Sequence, residues 1–125
     1  MKRTALAILL LVTAGVGCST RPATTTAEDG TAVTMDHNLF GTEAVDIPVG
    51  GRLTFANSSG RALHILVPGK DAQPKVEAGT PSFGGSSGHR AEVGDRWTTP
   101  AWNTPGTYFV TCTLHPSMNL KVTVA

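Results

Sequence analysis

The sequence predicts an all-β chain, a Greek-key sandwich of about seven or eight short strands. Three observations carry that expectation. Downstream of Thr31 the apolar residues recur at every second position in short runs, those runs are broken by Gly, Pro and Asn, and no stretch carries a helical face. The chain of 125 residues is one domain's worth, and roughly 95 of them are left once the N-terminal segments are set aside.

Those segments come first. Lys2 and Arg3 precede an uncharged run from Ala5 to Val16, a charged region and an apolar region too short for a permanent membrane span. Residues 1–17 are therefore expected to be a signal peptide. Gly17-Cys18-Ser19 resembles the cleavage site of bacterial lipoproteins, in which the cysteine becomes the lipidated N-terminus. Gly15 stands where those proteins usually carry an aliphatic residue, and small residues at 15 and 17 also suit an ordinary signal peptidase. The expected location is outside the cytoplasm, in the periplasm or on the outer face of the cytoplasmic membrane, anchored by lipid on Cys18. Residues 18–30, rich in Thr, Ala and Pro without apolar periodicity, read as a flexible tether, and the folded domain spans 31–125.

Within that domain strands are expected at 32–36, 44–49, 52–57, 62–67, 92–99, 107–112 and 119–124. Val49-Gly50-Gly51-Arg52, Asn57-Ser58-Ser59-Gly60 and Thr104-Pro105-Gly106 supply the tight turns between them. Alternation places Val45, Ile47 and Val49 on one face, Leu53 and Phe55 on another, then Tyr108, Val110 and Cys112, and finally Val122 and Val124. Trp97 and Trp102 read as packing residues. The polar, Gly- and Ser-rich stretch 70–88 reads as a long loop with a turn of helix around 72–78.

Charge and cysteine content narrow the function. Loss of Lys2 and Arg3 with the signal takes the basic side chains from 10 to 8 against 9 acidic ones, a net charge of −1 with no basic patch, so nucleic acid is excluded as a partner. Only Cys18 and Cys112 are present. With Cys18 lipidated, Cys112 is a lone thiol in an exported protein, and metal ligation accounts for it.

Cys112 opens the densest run of donor side chains in the chain. In Cys112-Thr113-Leu114-His115-Pro116-Ser117-Met118 a thiolate, an imidazole and a thioether recur every third residue, donor types that suit copper better than a hard cation. Pro116 stiffens the loop by fixing its own φ and restricting His115. A second imidazole is available at His64, between Leu63 and Ile65, where alternation sets it on the opposite face. His37, in a polar segment, and His89, in the Gly-Ser loop, read as surface residues.

Asn57, His64 and the run from Pro105 to Met118 resemble the small blue-copper cupredoxins, the plastocyanin, pseudoazurin and amicyanin group. The two residues between His115 and Met118 are most similar to the short loop of amicyanin. The resemblance covers 31–125 and implies an eight-stranded sandwich holding one copper that shuttles single electrons. It implies His64, Cys112 and His115 as strong equatorial ligands and Met118 as the weak axial one. Two positions depart from the pattern. Leu114 stands where many of these proteins have Pro, so its free N–H is expected to reach the thiolate. Ile65 stands where several have Asn, which puts the tie between the ligand loops in question.

The leading reading, from the export signal and the resemblance together, is an exported electron carrier and not an enzyme, monomeric by default, with transient redox partners docking near His115. Leu114, Pro116 and Pro68 would supply an apolar patch for such a small interface. The second reading is a copper carrier or buffer without an electron-transfer role, disfavoured because only Met35 and Met118 are left in the mature chain. A copper enzyme would need a second, histidine-rich site, and a hydrolase an orienting acid beside Cys112 and His115.

Overall fold

The computed structural model describes residues 30–58, 62–85 and 87–125. The signal, the Cys18 anchor and the tether fall outside the described residues, apart from Gly30 at the tether's end. Among the described residues nine strands are formed: β1 (Thr31–Thr34), β2 (Ala44–Ile47), β3 (Leu53–Ala56), β4 (His64–Lys70), β5 (Gln73–Pro74), β6 (His89–Ala91), β7 (Arg96–Thr98), β8 (Gly106–Cys112) and β9 (His115–Val124). They make two sheets, β1-β3-β7 and β2-β9-β8-β4-β5, with β6 also paired to β4. The chain crosses between the sheets at each step from β1 to β4 and again on either side of β7, and two pairs, β1 with β3 and β2 with β9, run parallel. No described residue is helical.

The alternation read from the sequence lines the space between the sheets. Val33, Leu53 and Phe55 from one sheet meet Ile47, Leu66, Tyr108, Val110, Cys112, Leu120, Val122 and Val124 from the other in a single buried cluster. Each such side chain contributes about 1.5–3 kcal/mol by leaving water. Trp102 is fully buried, donates from Nε1 to Thr99 Oγ1 at 3.0 Å, and meets Tyr108 edge-on at 5.3 Å. Both tryptophans are packing residues, Trp97 at the margin of the cluster.

Four expectations are corrected. The second strand stops at Ile47, because Pro48 has no N–H to donate and its carbonyl closes a turn onto Gly51 N–H at 2.8 Å, with Gly50 at φ 83°. Val49 is left 49% exposed in that turn and not on the core face. The strand expected over 92–99 is two strands: β6 pairs with β4 and β7 with β3, and a turn at Glu92–Asp95 carries the chain from one sheet to the other. β4 begins at His64 and runs on through Pro68 and Gly69 to Lys70. The turn of helix expected at 72–78 is absent; Lys70-Asp71-Ala72-Gln73 closes a hairpin onto β5 instead. The same loop sends Phe83 into the core, ring edge against Trp97 at 5.2 Å.

Candidate metal centre

His64 and Cys112 reach one place because β4 and β8 are antiparallel neighbours. Leu66 pairs with Cys112 and Val67 with Thr111, so the start of β4 lies beside the end of β8. The β8–β9 connection is two residues long, Thr113 and Leu114, and Cys112 pairs directly with His115 across it. The ladder then shifts: Thr111 pairs with Asn119 while Cys112 pairs with His115, so Pro116, Ser117 and Met118 form a wide bulge. That bulge lets three donor-bearing residues stand at the beginning, middle and end of one short segment. Met118, at its end, is fully buried.

One donor atom each from His64, Cys112 and His115 lies within 4.8 Å of the others. The Cys112 thiol is free and buried, its Sγ is 3.5 Å from His115 Nδ1, and the two imidazole centroids are 5.2 Å apart. His64 is fully buried, and its Nε2 lies 2.9 Å from the Asp36 carbonyl. A carbonyl only accepts, so Nε2 carries the proton and Nδ1 keeps a lone pair. That Nδ1 is buried with no hydrogen-bond partner. Burial pushes the His64 pKa down; the Asp36 bond opposes this, and the nearby His115 and His37 add to it. The pocket thus favours a neutral imidazole, the form that ligates metals. An orphaned buried nitrogen facing a thiol and a second imidazole is the signature of a coordination site.

Backbone bonds fix the arrangement. Ile65 N–H donates to Cys112 Sγ at 3.4 Å, and Thr113 N–H donates to the Ile65 carbonyl at 3.0 Å. The two ligand segments are therefore tied through the main chain of Ile65, whatever its side chain. The sulfur's amide donor is Ile65, not Leu114, which is 48% exposed. Asn57 ties the chain two residues before His64 to the residue paired with it: fully buried, it donates from Nδ2 to the carbonyls of Ala62 at 2.7 Å and Ala91 at 3.0 Å.

No family model and no curated relative matches the chain. Solved structures do. Amicyanin from Paracoccus versutus (Thiobacillus versutus) superimposes on 78% of this chain and 82% of its own, at 22% identity and a TM-score of 0.57. A purple cupredoxin from Nitrosopumilus maritimus matches 78% of this chain and 100% of its own, at 18% identity and a TM-score of 0.59. This chain has the cupredoxin fold. A copper-containing nitrite reductase from Thermus scotoductus carries the same fold over 77% of this chain but only 22% of its own length, at 22% identity and a TM-score of 0.59.

Placed on the cupredoxin fold, the sequence-derived residues divide cleanly. His64, Cys112 and His115 converge; Met118 is buried at the end of the same bulge. His89 is not a loop residue: it opens β6 and stacks on Trp97 with centroids 4.0 Å apart and planes 10° off parallel. His37 is exposed, yet its ring lies 6.4 Å from that of His115. Sequence reasoning missed both Asp36, whose carbonyl selects the His64 tautomer, and the approach of His37. Nothing in the polar segment marks them, because Asp36 meets His64, 28 residues further along, only once the chain is folded.

Proposed function

We propose that the chain is an exported, mononuclear blue-copper electron carrier with His64, Cys112, His115 and Met118 as ligands. The observation that carries the reading is the buried, unpartnered Nδ1 of His64 facing the free thiol of Cys112 and the imidazole of His115. Copper bound there would supply a one-electron couple. The protein's part is to hold the donors still: His64 through Asp36, Cys112 through the Ile65 amide, and the two ligand segments against each other through Ile65 and Thr113. A donor set held by a β-sandwich moves little between oxidation states. The amide bond to Sγ favours the electron-rich sulfur and with it the reduced form.

Partners are proposed to dock over His115, which is half-buried beside exposed Leu114 and Pro116. A small apolar surface of this kind suits a transient redox encounter of a monomeric carrier. The export signal and the lipid on Cys18 belong to the same proposal.

Voltammetry of the copper-loaded protein tests the reading. The expected result is a reversible one-electron wave at one copper per chain, lost in Cys112→Ser. Release of the metal on reduction would instead favour the copper carrier or buffer.

A further inference from the structure

Among the described residues, only Asp71 (φ 53°) and Ala72 (φ 63°) combine a side chain with a left-handed backbone. A two-residue hairpin turn between Lys70 and Gln73 calls for that backbone at both central positions; aspartate tolerates it and alanine adopts it rarely. Side chains of the two strands that carry the ligands hold this turn. Ala72 N–H donates to Thr111 Oγ1 at 3.0 Å, and the same hydroxyl donates to the Met118 carbonyl at 3.0 Å. Asp71 N–H donates to Asn119 Oδ1 at 2.8 Å, while Asn119 Nδ2 donates to Asp71 Oδ1 at 3.0 Å and to the Pro116 carbonyl at 3.2 Å.

Thr111 and Asn119 are the register pair that flanks the bulge. Between them they hold the carbonyls of its first and last residues, Pro116 and Met118, and both are anchored to one strained turn. A bulge three residues wide has no ladder of its own to fix it. The hydroxyl of Thr111 is fully buried and is used as acceptor and donor at once, so its removal strands the Ala72 N–H and the Met118 carbonyl together.

We propose that Thr111 and Asn119 are positioning residues that couple the Asp71–Ala72 turn to the Met118 arm of the metal centre. The inference rests on Met118 being a ligand; the coupling itself is a property of the polypeptide and is measurable without metal. The hairpin tip then acts as a rigid stop behind the bulge, and a change in the turn reaches Met118 through two side chains.

The test uses the metal-free full chain with carbon-13-labelled methionine methyl groups. Thr111→Val should shift or broaden the Met118 methyl signal and raise hydrogen exchange at the Ala72 amide by up to about tenfold, the factor one net hydrogen bond corresponds to. Thr111→Ser, which keeps the hydroxyl, should leave both as in the wild type. Asn119→Ala, at a half-buried position, should move the Met118 signal too, and serves if Thr111→Val does not fold. An unmoved Met118 signal in the folded variants, or a Thr111→Ser effect equal to that of Thr111→Val, would overturn the proposal. In the copper-loaded protein the reduction potential should shift in Thr111→Val and return in Thr111→Ser. A wild type without any copper–thiolate absorption would defeat the blue-copper reading and leave the metal-free result standing.

Discussion

His89 shows how a single side chain sets a condition on stability. Stacked on Trp97 and half-buried, it has its pKa held below the ordinary 6.5, by burial first, with Asp95 opposing. In the window from about 6.5 downwards the unfolded chain takes up a proton that the folded chain refuses, so the unfolded state binds more protons and stability falls as pH falls. Urea unfolding of the metal-free protein should therefore show a lower midpoint at pH 5 than at pH 7. His89→Phe, which keeps a ring on Trp97, should reduce that difference; a difference as large as the wild type's would show that the His89 environment contributes nothing. His64 acts in the same direction in the metal-free protein, so the variant flattens the dependence without abolishing it.

At the scale of elements, Asn57 joins the end of β3 to the strands beside the site: its main chain bonds Asp95 and Gly94, and its amide holds the carbonyls of Ala62 and Ala91. Asn57→Ala leaves at least two carbonyls without this donor at a fully buried position and should cost about 1–3 kcal/mol. The measurement is the unfolding midpoint of the metal-free protein, and a change within error of zero would contradict the role. How far these elements were legible depends on how local their signals are. Leu53, Phe55, Tyr108, Val110 and Cys112 follow from alternation alone and are buried as expected. The Cys-x2-His-x2-Met spacing is contiguous, so it needed no tertiary information. The hairpin at Lys70–Gln73 was not legible, because its turn uses Asp-Ala where a sequence signal would be Asn-Gly or Asp-Gly, and the side chains that bond it, Thr111 and Asn119, are distant in sequence. The break at Glu92–Asp95 was likewise hidden, because Val93 continues the apolar pattern although it sits 51% exposed in a turn.

Across the whole molecule the same division holds. Two sheets close over one apolar cluster, and the donor-bearing strands β4, β8 and β9 are neighbours in the same sheet, so the candidate site is built on the most extensively paired part of the fold. Chain connectivity between sheets brings in what periodicity does not encode: Asp36 and His37 beside the site from the β1–β2 connection, and Phe83 into the core from the long loop. The fold brings three donors within 4.8 Å of one another, a site the unfolded chain does not have, so binding copper should stabilise the fold. The thermal midpoint should rise on loading and the rise should be lost in His64→Ala; an equal rise in that variant would place the metal elsewhere.

The most direct measurement of the central claim is a titration of the purified chain with Cu(II), followed by visible absorption and electron paramagnetic resonance, beside Cys112→Ser. The account predicts an intense thiolate-to-copper band saturating at one equivalent, a small copper hyperfine splitting, bleaching by mild reductant, and loss of all three in the variant. A pale complex with an ordinary tetragonal signal, unchanged in Cys112→Ser, would contradict it.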